Sequence, residues 1–133
     1  MQNPSVEAQL ALAGRVLLAL LFVIEAWIKL NGYAGAVGYM QAFGIPGFLL
    51  PGAIGVELVG GALIAVGWHT RPAALALAGF CIVTPLIFHT KFSDANQLLH
   101  FLKDFAIGGG FLVLAAHGAG AWSVDAKRGM RGA

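Results

Sequence analysis

Four apolar runs dominate the chain, and each is close to the length of helix that crosses a bilayer. A hydrocarbon core about 30 Å thick takes roughly 20 helical residues. The runs cover residues 10–30, 49–67, 72–89 and 98–117. They lack the alternation of lipid-facing strands, which argues against a closed barrel. Lipid offers no hydrogen bonds to an open backbone, so helices remain. The pattern predicts an all-α membrane protein, a four-transmembrane-helix bundle with an interfacial segment between helices 1 and 2.

The rest of the composition agrees. Only 11% of the 133 residues are charged and 59% are hydrophobic, whereas soluble domains carry about 25% charge. The length fits one integral membrane domain over 1–133. The N-terminus has no basic lead-in and no cleavage site followed by a soluble body, so the first span is expected to stay in the mature protein. A single cysteine, Cys81, leaves no disulfide or Cys-x-x-Cys pair within the chain. The net charge of +2 forms no basic stripe, which predicts no nucleic-acid partner.

Prolines and glycines punctuate the spans. Pro51 and Pro72 fall in first turns, where a missing N–H costs little. Pro85 lies inside the third span and is expected to kink it. Gly61/Ala65 and Ala106/Gly110 have the small-x-x-x-small spacing of close helix packing. The linker 31–48 is uncharged and holds Tyr33, Tyr39 and Phe43, aromatics that suit the headgroup level.

Lys and Arg are in excess on the side holding both termini, at Arg71, Lys127, Arg128 and Arg131, against Lys91 and Lys29 opposite. Such an excess marks the cytoplasmic face, so both termini are expected there. Helical rise then places Glu25 roughly 7 Å and Lys29 roughly 13 Å outside the midplane, with Glu57 near it. His89 ends span three at the outer side, and span four descends through His100, Lys103 and Asp104. Glu25 and Lys29 are four apart, and His100, Lys103 and Asp104 are three and four apart, so each set shares a helix face. A charge at a helix centre costs about 2.5–3.5 kcal/mol on insertion scales and usually faces the interior. Of the charged groups within the spans, only Arg15 lies in the inner half.

Two readings follow from this convergence. In the first, the groups surround a cavity: Glu25, Glu57 and Asp104 relay protons while Lys29, His89, His100 and Lys103 bind ligand oxygens. In the second, Glu25–Lys29 and Glu57–Lys103 are ion pairs that set helix order. A buried pair is weak evidence for stability, because desolvation offsets most of its attraction. His89 and His100 could hold haem or a metal, but no Cys or carboxylate spacing reinforces them, so neither is expected. His69 and His117 read as interfacial residues and Cys81 as a small buried hydrophobe.

The chain resembles the DoxX family of small bacterial inner-membrane proteins. The resemblance rests on Arg15 with FVIEAWIKL at Phe22–Leu30, FGIP at Phe43–Pro46, and VELVGGALIAVGWHTRPAA at Val56–Ala74. LIFHTKF around His89, FLKDFAIGGGFLVLAAHG from Phe101 and AWSVD at Ala121–Asp125 extend it over nearly the whole chain. Where the family pattern has a small residue near position 25 and asparagine at position 104, this chain has Glu25 and Asp104. The resemblance implies a four-helix bundle in the bacterial cytoplasmic membrane, surrounded by lipid. One relative is the small subunit of a thiosulfate:quinone oxidoreductase, so the likeness also implies a quinone, a small anionic substrate, or a partner redox subunit or homo-oligomer. A non-enzymatic accessory or solute-binding protein is the alternative.

The charge asymmetry makes a direct prediction about topology. Alkaline phosphatase fused to the C-terminus should be inactive, and the same reporter in the 91–97 loop should be active; the opposite pattern would reverse the orientation.

Overall fold

The computed structural model describes residues 3–129; Arg131, part of the charge asymmetry above, lies outside them. Six α-helices follow one another: α1 Pro4–Asn31, α2 Tyr33–Ala42, α3 Leu50–Val66, α4 Thr70–Phe88, α5 Ala95–His117 and α6 Val124–Lys127. A 3-10 turn at Gly47–Leu49 leads into α3. There is no strand among the described residues, and α1, α3 (with its leading turn), α4 and α5 are long and apolar enough to cross a membrane.

Capping explains why α1 and α5 start before their apolar runs. Asn3 accepts from the Ser5 amide at 2.9 Å and Pro4 occupies the first turn, so α1 starts six residues before the apolar run. Asp94 likewise accepts from Asn96 at 2.9 Å and starts α5 at Ala95. Hydropathy marks where lipid begins, whereas caps mark where the helix begins.

α1 packs along α3 and α4 along α5; a narrower α3–α4 contact joins the two pairs, and α1 barely touches α5. The shared core holds Ala19, Phe22, Ile64, Leu77, Ala78 and Phe111. Phe22 meets Phe111 edge-on at 5.4 Å between centroids, tying α1 to α5 at mid-depth. Gly108 permits the close α4–α5 approach, since a Cβ there would stand 3.3 Å from that of Cys81. The outer surface is largely apolar, with Leu17, Val59, Leu75, Val83 and Val113 all exposed, as lipid contact requires.

The end holding both termini is closed by a polar knot. Arg15, 1% exposed, donates to the carbonyls of Ile64 at 3.0 Å, Ala65 at 3.1 Å and Trp122 at 2.6 Å. It thereby satisfies the last turn of α3, where unpaired carbonyls concentrate negative charge. Asp125 accepts from the amides of His69 at 2.8 Å and Thr70 at 3.0 Å, the start of α4. His69 is held in the left-handed region at φ 48°, and Gly67 at φ 71°. A Cβ on Gly67 would collide with the Arg15 guanidinium and with Ser123, so only glycine fits this corner. Removing the Asp125 side chain strands the buried Thr70 amide and the partly buried His69 amide. Asp125→Ala should cost about 2–4 kcal/mol, at the usual rate for hydrogen bonds to a charged group, read as a lowered thermal midpoint in detergent. An unchanged midpoint would show that the cap is dispensable.

Candidate functional site

The opposite end of the bundle carries the segment 31–49, which contains α2, and the loop 89–94. A cavity of about 390 Å³ opens between α1, α4 and α5 and is roofed by α2. This lies within the usual size range of small-molecule sites. α2 buries no residue completely. It is held by Ala36, Val37 and Met40 against Ala26, Leu50 and Ile54. Tyr39 and Phe43 close over Phe88 of α4, with ring centroids 5.3 and 5.1 Å from it. The uncharged linker is therefore a helical roof whose aromatics also seal the site, a role that its headgroup-type composition did not reveal.

The walls are mainly apolar, from Leu21 and Phe22 of α1, Leu50 of α3, and Phe80 and Ile87 of α4. Polar groups enter from three elements: Glu25 and Lys29 from α1, Thr84 and His89 from α4 and its C-cap, and Asp104 from α5. Thr84 spends its hydroxyl proton on the Phe80 carbonyl at 2.9 Å, leaving its oxygen free to accept.

Lys29 pairs with Glu57, crossing from α1 to α3. Glu57 is fully buried, whereas the Lys29 side chain remains 31% exposed at the cavity, 6.0 Å from the centre of the Phe80 ring. This corrects the pairing Glu57–Lys103 inferred from depth alone. Lys103 projects from an exposed flank of α5. It does not line the cavity. Glu25 approaches the Glu57 carboxyl, and the second Glu57 oxygen has no hydrogen-bond partner among the described residues. The Glu25–Lys29 pair allowed by i, i+4 spacing is not formed, because Lys29 reaches across to α3 instead.

His89 stands 4.0 Å from Asp104 through Nε2 and stacks on His100 at 5.2 Å. His100 is exposed and outside the cavity lining. Of the seven candidate residues, Glu25, Lys29, His89 and Asp104 share the cavity wall, Glu57 anchors Lys29 behind it, and His100 and Lys103 flank it. No group of three or more His, Cys, Asp or Glu among the described residues is placed to hold a metal ion.

The DoxX family profile matches residues 10–90. The chain belongs to the DoxX family. It is 46% identical to Escherichia coli inner membrane protein YqjF over 86% of this chain and 88% of that protein. It is 34% identical to E. coli inner membrane protein YphA over 89% of each. A shorter match, 30% identical over 54% of this chain and 57% of the relative, is to a Bacillus subtilis protein named "Putative oxidoreductase CatD". No solved structure matches the chain. The family match runs from within α1 to just past the end of α4 and so includes Glu25, Lys29, Glu57 and His89, while Asp104 lies beyond it.

The ion pair generates a stability prediction. Lys29→Met leaves a fully buried carboxylate without its cation and should cost about 3–5 kcal/mol. Lys29→Met combined with Glu57→Gln removes both charges and should recover most of the loss in thermal unfolding. A double variant no more stable than Lys29→Met would mean that Lys29 is not the group that compensates Glu57.

Proposed function

We propose that the cavity is the binding site of a redox-associated membrane protein of the bacterial cytoplasmic membrane, and that it receives a quinone headgroup or a small anionic ligand of similar oxygen chemistry. The observation that carries this reading is an apolar, aromatic-walled cavity with an ammonium and two carboxyls at its wall. A flat ring with oxygen acceptors fits such a space: Phe22 and Phe80 flank it, Lys29 donates to an oxygen, and Thr84 and His89 offer further polar contacts. When bound, a quinone supplies a carrier of two electrons and two protons. The chain's own part is to bind, orient and exchange protons. Glu25 and Asp104 lie on the wall and Glu57 stands behind Lys29, so carboxyls are at hand to pass protons to the ligand oxygens as electrons arrive. Electrons would arrive through a partner subunit. The name "Putative oxidoreductase" of one relative and the inner-membrane names of the other two support this reading.

A second reading has its own observation. The Lys29–Glu57 pair binds α1 to α3 and would do so equally in an accessory protein with no chemistry, its charge cluster mainly structural. Binding separates the two. Organic extraction of the purified protein should yield quinone, and decylubiquinone should raise its thermal midpoint in a concentration-dependent way. The Lys29→Met, Glu57→Gln double variant should fold yet lose this response by at least about tenfold in affinity, the scale of one lost charge-assisted hydrogen bond. A quinone-free extract with no thermal response in the parent protein would favour the accessory reading.

A further inference from the structure

The weakest seam of the bundle lies between α1 and α5. Its landmark is Gly110, where a Cβ would sit 3.6 Å from Leu18 of α1. The two helices run antiparallel, so equal steps from that contact stay level with each other. Seven residues is about two helical turns and returns to nearly the same face. Seven residues after Leu18 comes Glu25, and seven before Gly110 comes Lys103. Glu25 and Lys103 therefore stand at one level on either side of the seam, and neither is salt-bridged among the described residues. Glu25 also lines the cavity, as does Asp104, the residue next to Lys103. Lys103 is exposed on a helix whose neighbouring Leu99 and Leu102 are exposed apolar residues.

A lysine on the open flank of a membrane helix is costly unless it serves a pairing or a pathway. We infer that the α1–α5 seam is a lateral entrance from the bilayer to the cavity, with Lys103 and Glu25 as its two posts, and that Lys103 selects membrane-dissolved ligands carrying an anionic or carbonyl oxygen. This rests on the cavity being a ligand site and adds the route and the selecting residue. Lys103 attracts the oxygen-bearing end at the lipid side, and Lys29 receives it inside. Between them Glu25, level with Lys103, lines the wall that the ligand passes.

The test locks the posts. In a Cys81→Ala background, Glu25→Cys with Lys103→Cys is bridged by a short bifunctional methanethiosulfonate, and the control is the same variant treated with a monofunctional reagent. Decylubiquinone association is followed in proteoliposomes by stopped-flow quenching of tryptophan fluorescence. Bridging should form efficiently and slow association at least tenfold relative to the control. Efficient bridging with an unchanged rate would overturn the entrance, and failure to bridge would overturn the placement of the posts. Since Glu25→Cys alters the wall, Lys103→Glu is measured beside it with the cavity intact. It should slow association of decylubiquinone at least threefold while leaving the thermal midpoint unchanged, and an unaltered rate would remove Lys103 from the route. If the parent protein itself binds no quinone, the cavity reading fails, and the entrance with it. Binding that ignores both the bridge and Lys103→Glu refutes the entrance alone.

Discussion

The Arg15 guanidinium ties the helices at the end opposite the cavity. Four apolar helices in lipid gain little from hydrophobic association, because lipid tails are as apolar as their own side chains. Specific polar ties must then fix their order. Arg15 joins α1 to the last turn of α3 and to the Trp122 carbonyl, and three residues later Asp125 joins the same segment to the start of α4. Each tie also satisfies helix-end groups that lipid would leave bare. With three of the four spans gathered at that end, the opposite end can separate enough to hold a cavity of about 390 Å³ without the bundle falling apart.

Much of this was legible in the sequence, and the limits have physical causes. The four spans follow from hydropathy and length, and the gathering of Glu25, Lys29, Glu57, His89 and Asp104 follows from depth. Depth, however, is a single coordinate. It places Lys103 near Glu57, yet rotation about α5 turns Lys103 to an exposed flank while Asp104 faces inward. Rotation and neighbour order come from packing, which no period in a uniformly apolar helix reports. Asp125 was missed for a related reason. AWSVD reads as a polar tail after the last span, and only the folded chain shows its carboxylate capping α4 from 55 residues away. A signal was nonetheless present: Gly67 and His69 at a turn with no capping side chain of its own leave the α4 amides in need of a distant acceptor.

The roof is a different case. α2 lies in the interfacial segment expected from composition, but its helix is not independently stable in character. Ten residues with four glycines and alanines among the first six make a weak helix in water. It is held by packing on Ala26, Leu50 and Ile54 and by the aromatic contacts of Tyr39 and Phe43 with Phe88. Gly47 belongs to this arrangement, since a Cβ there would press to 2.7 Å from the Val37 side chain. A roof fastened by aromatic edges and a few methyl groups belongs to the low-stability end of a fold, where elements that open tend to be found.

The same contrast bears on why a charged cluster persists in so apolar a protein. If the cluster were only a clasp, the Lys29–Glu57 pair and the His89–Asp104 contact would suffice, and Glu25 would add desolvation cost without adding a tie. A carboxyl beside Glu57 weakens the very pair that holds α1 to α3. A structural clasp gains nothing from that. The proposed ligand site would gain from it, because neighbouring acids make the proton's position responsive to what occupies the cavity.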